Sequence, residues 1–210
     1  MKGAFMQIQW IFFDLGSTLV DEAAAYDARA RQMLSGTGIS FREFDEKRRQ
    51  LAAQGLDGNS QAIRFFGLSK TPWPGELEAP YPQAERVLAE LRARGYRLGI
   101  IANQAPGVRE RLENWGLLPY FEVIASSSEL GVSKPDPAIF RKAMEMAGCE
   151  APAAAMVGDR LDNDIAPARE LGMFTVWTPK GLSPEEAAAL APGRTDARAL
   201  TPEALLDIFP

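Results

Sequence analysis

Histidine is absent from the 210 residues. That excludes Ser-His-Asp and Cys-His catalysis, histidine-ligated zinc and the usual neutral-pH proton shuttle. A single cysteine, Cys149, excludes an internal disulfide and a thiolate zinc site. No apolar run approaches a membrane span, and the opening MKGAFMQIQW lacks the apolar stretch of a signal peptide. Positive charge is outweighed, with 23 Lys and Arg against 28 Asp and Glu, a net charge of −5 that argues against nucleic acid or an anionic membrane as the main partner. The expectation is a cytoplasmic protein, monomer or homodimer. Its chemistry must run on carboxylates, lysine, hydroxyls, backbone amides or a borrowed ion.

What is present is ordinary for a globular chain: 46% apolar residues, enough for one buried core plus a small accessory module. Short apolar runs alternate with helical patterns, the signature of an α/β fold with a parallel sheet covered by helices. Gln9–Phe13, Arg97–Ala102, Glu122–Ala125, Ala154–Val157 and Phe174–Trp177 read as strands. Helices are expected from near Pro82 to Gly95, and over Gly107–Trp115, Ala138–Ala147, Ile165–Leu171, Glu185–Ala191 and Pro202–Phe209. The stretch from Asp21 to about Pro74 holds no convincing strand, and Ser40 with Glu43 forms a capping box inside it. The division expected is a core of residues 1–20 and 75–210 with a helical insertion over 21–74.

Four segments carrying polar chemistry fall where strands end, the side of an open α/β sheet that binds ligands. They are Asp14–Thr18 (DLGST), Ala102 with Asn103, Lys134 in GVSKPDP, and Asp159–Asp164 in VGDRLDND. Each alone has a bland reading as a turn residue, a helix cap or a solvated loop charge. Together and in this order they resemble the haloacid dehalogenase superfamily of phosphohydrolases, from Phe12 to about Trp177.

The resemblance implies a Rossmann-like three-layer core with a small helical cap, of the C1 type, inserted after the first strand. It implies Asp14 as nucleophile, with Lys134 placing a positive charge against Asp14 and the phosphate. Ser17, Thr18, Asn103 and Lys134 would hold the phosphate, helped by backbone amides around Leu15–Ser17. Mg²⁺ is the implied cofactor, bound by Asp14, the carbonyl of Gly16 and Asp159. Asp164 would bind a metal water or hold Lys134 in place. The implied activity is Mg²⁺-dependent hydrolysis of a small phosphorylated molecule through an aspartyl-phosphate.

Two positions depart from that family's phosphatases. Gly16 stands where a second Asp usually protonates the leaving oxygen and later activates water, and Ala102 replaces a Ser or Thr. The first outcome is a phosphatase that prefers acyl or aryl phosphates, whose leaving groups need little protonation, or that recruits Asp21 or Glu22 as a substitute base. The alternatives are a phosphate- or ligand-binding protein with little turnover, or dehalogenase or phosphonatase chemistry, whose branches also lack that Asp. The phosphonatase branch needs a cap lysine, for which Lys47 and Lys70 exist. A phosphoacceptor signalling domain fits poorly, since there the acidic pair precedes the acceptor Asp. Tyr26, Arg29, Arg64 and Phe65 are cap candidates for substrate contact, while Phe65, Phe66 and Trp73 also read as packing between cap and core.

Overall fold

The structure, a computed structural model, describes residues 8–180 and 182–210. Residues 1–7, which carry most of the signal-peptide reading, lie outside the described residues. Strand β1 (Trp10–Phe13) is followed by a two-residue strand β2 (Val20–Asp21) and helices α1 (Ala23–Leu34), α2 (Phe41–Ala52) and α3 (Gly58–Phe65). Strand β3 (Ala79–Pro80) returns the chain to α4 (Ala84–Ala93) and β4 (Arg97–Ala102). Helix α5 (Val108–Asn114), strand β5 (Val123–Ser126), a short α6 (Ser127–Leu130) and α7 (Pro137–Ala147) lead to β6 (Ala154–Gly158). A π-type turn at Leu161–Ile165 opens into α8 (Ala166–Glu170) and β7 (Phe174–Trp177). Helix α9 (Pro184–Leu190), strand β8 (Ala197–Arg198) and α10 (Leu205–Ile208) follow.

The six-stranded sheet runs β5-β4-β1-β6-β7-β8 with every pairing parallel. This is the expected α/β architecture. All four residues of β1 are buried, because helices cover both sheet faces. Alternation sorts them: Ile11 and Phe13 pack with Val87, Leu88 and Leu91 of α4, while Trp10 and Phe12 pack with Ile139 and Phe140 of α7. From β1 the chain moves outward through β4 and β5, then returns to the other side of β1 at β6. The reversal opens a crevice at the carboxyl ends of β1 and β6.

Helices α1–α3 share a separate apolar cluster that includes Ala30, Met33, Phe44, Ala62 and Ile63. Helix α2 starts at the Ser40–Glu43 capping box, the Ser40 side chain accepting from the Glu43 amide while Glu43 reaches back to the Ser40 amide. The antiparallel pair β2–β3 ties the entry and exit of this segment together. Two residues per strand leave no readable alternation, and β8 escapes sequence reading for the same reason.

The expected packing of Phe65 and Phe66 between the helical segment and the sheet is corrected. Phe65 is 62% exposed beneath the Lys47 ammonium, and Phe66 packs against Phe44 inside the helical cluster. Arg29 Nε donates to the Thr71 carbonyl at 2.9 Å and its guanidinium lies over Trp73. No helix among the described residues is long and apolar enough to cross a membrane.

Candidate active site

Asp14 is the first residue beyond β1, and its amide donates to the Val157 carbonyl at 2.8 Å. Asp159 follows the neighbouring strand β6, so parallel register alone sets the two carboxylates side by side. Asp164 reaches them differently. The π-type turn curls back on itself, with the amides of Asp164 and Ile165 both donating to the Arg160 carbonyl. The Asp164 side chain then lies against Gly158, where a Cβ would come within 2.6 Å of its Cγ and Oδ2. Only glycine at 158 leaves room for that carboxylate. One oxygen each from Asp14, Asp159 and Asp164 lie within 4.8 Å of one another.

Lys134 enters from the loop between α6 and α7. Its Nζ donates to Asp14 Oδ1 at 2.6 Å and to Asp164 Oδ1 at 2.6 Å, with the side chain wholly shielded from solvent. Burial alone would lower its pKa, but the two carboxylates outweigh burial and leave it raised. Burial also pushes the Asp14 carboxyl up to about 6, even against the attraction of Lys134. Asp159 is raised well above the ordinary carboxylate range, by burial first and then by Asp164 and Asp14. Three carboxyl groups thus crowd one ammonium, an arrangement that favours a proton or a further cation among them.

Those oxygens are hard donors close enough to share one ion, which fits Mg²⁺. Asp164 is the member least free to ligate. Its Oδ1 accepts from Lys134 and its Oδ2 from the Arg160 amide at 2.9 Å, so of its two expected roles the structure favours holding Lys134.

The remaining candidates divide. Thr18 Oγ1 is buried without a hydrogen-bond partner among the described residues. Ser17 has a left-handed backbone (φ 56°), its amide donates to the Val20 carbonyl at 2.8 Å, and its hydroxyl donates to Glu22 Oε2 at 2.9 Å. Both Ser17 donors are thereby engaged within the loop. Asn103 Oδ1 accepts from the Lys134 amide at 2.8 Å and its Nδ2 donates to the Lys134 carbonyl at 2.9 Å, so it clamps the lysine backbone. Ala102 is buried at the end of β4.

Gly16 sits in the tight loop bridged to Val20. The space beside it is filled. A Cβ at Gly16 would lie within 2.6 Å of the Glu22 Cδ and Oε2. Asp21, the other substitute base, is exposed and accepts from the Ala23 amide at 2.9 Å as a turn residue ahead of α1. Burial pushes the Glu22 carboxyl up to about 7, against the hydrogen bond from Ser17 and with help from the charge of Asp14.

Sequence reasoning missed several supports. Trp177 Nε1 donates to the Asp159 carbonyl at 2.7 Å, holding the loop after β6. A cavity of about 580 Å³ opens beside the acidic cluster, lined by Asp159, Arg160 and Lys180 on one side and Tyr26, Arg48 and Asn59 on the other. Arg160 crosses its rim to Asp57 at 3.1 Å. Of the four cap candidates, Tyr26 lines the cavity, and Arg29, Arg64 and Phe65 do not. A tryptophan indole near a strand end carries no pattern that separates it from core packing.

A family model described as haloacid dehalogenase-like hydrolase matches residues 8–172. The phosphoserine phosphatase of Thermus thermophilus is 43% identical over 107 residues, covering 50% of this chain but only 43% of that protein. The chain therefore spans less than half the length of that relative. The glyceraldehyde 3-phosphate phosphatase of Pyrococcus abyssi is 34% identical over 192 residues, covering 81% of each. The crystal structure of a HAD phosphatase from Thermococcus onnurineus superposes with a TM-score of 0.66 at 26% identity, covering 96% of this chain and 97% of the other.

Proposed function

The chain belongs to the haloacid dehalogenase-like hydrolases, and from that premise we propose that it is a Mg²⁺-dependent phosphatase forming an aspartyl-phosphate at Asp14. The observation that carries this reading is the buried meeting of Asp14, Lys134 and Asp159 at two adjacent strand ends. Relatives named phosphoserine and glyceraldehyde 3-phosphate phosphatases support a small phosphorylated metabolite as substrate.

An attacking carboxylate and a phosphate repel each other, so the site must supply positive charge before they meet. Asp14, Asp159 and the Gly16 carbonyl would hold Mg²⁺, which when bound neutralises that repulsion and orients the phosphate oxygens. Lys134 contributes the chain's own charge, fixed by Asp164 from the side and by Asn103 from the backbone. Thr18 offers its unpartnered buried hydroxyl to a phosphate oxygen. Asp14 attacks phosphorus, the bond to the leaving oxygen breaks, and water then cleaves the acyl phosphate.

Residues 21–74 act as the cap in this reading, and residues 1–20 and 75–210 form the core. Tyr26, Arg48 and Asn59 form the cap side of the cavity and face the part of the substrate beyond the phosphate.

The test is intact-mass measurement after brief exposure to Mg²⁺ and an aryl or acyl phosphate. Native protein should carry one phosphoryl group that Asp14→Asn does not. Equal labelling of the two proteins would sink the reading.

A further inference from the structure

We propose that Glu22 is the proton-carrying group of this site, reaching through the gap left at Gly16 to protonate the leaving oxygen and then activate the attacking water. The inference rests on the phosphatase reading above and adds a residue to it.

Hydrolysis of an alkyl phosphate needs a proton for the departing alkoxide and a base for the incoming water. With no histidine in the chain, a carboxyl group is the natural carrier. Asp14 is the attacking group. Asp164 has both oxygens engaged, by Lys134 and by the Arg160 amide. Asp159 stands with Asp14 at the acidic cluster assigned to the cation. Asp21 lines the cavity, but its Oδ1 is engaged by the Ala23 amide at 2.9 Å in the turn into α1.

Glu22 is what remains, and its position is specific. It sits just before α1, yet its carboxyl group folds back over the loop that follows Asp14. There it fills the volume a side chain on Gly16 would need. The Ser17 hydroxyl donates to Oε2 at 2.9 Å, and Oε1 has no hydrogen-bond or salt-bridge partner among the described residues. An extended glutamate on an exposed helix start would keep water around its charge. Here it is drawn inward, where a glycine makes the room.

The balance of the two steps closes. Protonated Glu22 gives its proton to the leaving oxygen as that oxygen takes the electron pair of the breaking P–O bond, releasing an alcohol. The Glu22 carboxylate then accepts a proton from water as the water oxygen bonds to phosphorus. The acyl-phosphate P–O bond breaks, its electron pair returns to Asp14, and inorganic phosphate leaves with Glu22 protonated again.

Gly16→Asp on its own forces a side chain into the Glu22 carboxylate, so it should lower turnover rather than raise it.

The experiment compares Glu22→Gln with native enzyme in Mg²⁺, using p-nitrophenyl phosphate as the aryl ester and phosphoserine, phosphoglycolate and glycerol 3-phosphate as alkyl esters. Gln keeps the shape and can still accept from Ser17. Nitrophenolate leaves without a proton, so the first-turnover burst with the aryl ester should be unchanged, followed by slow release and accumulated phospho-Asp14. Turnover of the best alkyl ester should fall about 10²–10⁴-fold. The exchange variant Gly16→Asp/Glu22→Ala should recover alkyl turnover that Gly16→Asp alone loses, which also covers misfolding of a single variant.

Equal slowing of the aryl burst and the alkyl reaction would overturn the proposal, marking Glu22 as merely structural. So would native-like alkyl turnover by Glu22→Gln, or a native enzyme that cleaves only the aryl ester. If native protein never labels at Asp14, the phosphatase reading itself falls; if it labels and Glu22→Gln behaves as native, only the Glu22 assignment falls.

Discussion

Lys134 Nζ and Asp164 Oδ1 meet at 2.6 Å with both side chains essentially out of water, and the same nitrogen bonds Asp14 on its other side. Breaking a buried pair by removing one partner leaves an uncompensated charge, which costs about 3–5 kcal/mol. Lys134→Met removes the only cation bonded to Asp14 or Asp164 among the described residues. In metal-free buffer at neutral pH its denaturant midpoint should drop by an amount equivalent to that loss. A native midpoint would mean the carboxylates are already neutral there.

Asn103 and Lys134 exchange two hydrogen bonds across 31 residues. Asn103→Ala removes both, leaves the Lys134 amide without this partner, and should cost about 1–3 kcal/mol. Phosphatase activity should fall with stability, because the lysine loses its backbone anchor. Asn103→Asp keeps the acceptor for the amide and should recover part of the stability. Urea unfolding of the two variants decides whether the clamp or mere volume matters.

Mg²⁺ should raise the melting temperature of the native protein in a concentration-dependent way. An ion at 100 times its Kd contributes about 2.7 kcal/mol. Asp159→Asn should abolish the shift while leaving the Lys134 bridge to Asp14 intact. An undiminished shift in that variant would move the cation elsewhere.

Stability should depend on pH through Glu22. Its folded pKa of about 7 lies above the ordinary 4.5, so the folded state holds the proton more tightly than the unfolded chain. The stability this confers is fully present below about pH 4.5 and is lost as pH rises through about 7, with a ceiling of about 3 kcal/mol. Glu22→Gln lacks the titrating charge. Without metal, it should gain on the native protein as pH rises from about 4.5 to about 7 and keep a constant advantage above that. A pH-independent gap, read by thermal melts, would contradict the buried position of Glu22.

Much of the fold was legible in the chain because apolar runs and helical periods are local signals. Arg97–Ala102 and Phe174–Trp177 coincide with β4 and β7. The last helix was only partly legible: Pro202–Ala204 forms a 3₁₀ turn before α10 begins at Leu205. The site was legible as a set of residues but not as a division of labour. Asn103 and Ser17 have the right chemistry for a phosphate, yet their donors and acceptors are engaged by Lys134, Val20 and Glu22. No spacing rule says which of several partners a polar side chain will take.

The sequence by itself determined the chemical repertoire: no histidine, one cysteine, and carboxylates placed directly after strands, which confines the reaction to acids, a lysine and a cation. It also determined the layered architecture, since alternation and helical period follow from backbone geometry. Tertiary structure decided which groups share an environment. The strand order brings Asp14 beside Asp159, and a bare Cα at Gly158 admits Asp164, while the one at Gly16 admits Glu22. Distances, burial and the resulting shifts in proton affinity depend on neighbours far away along the chain, and only the folded sheet supplies them.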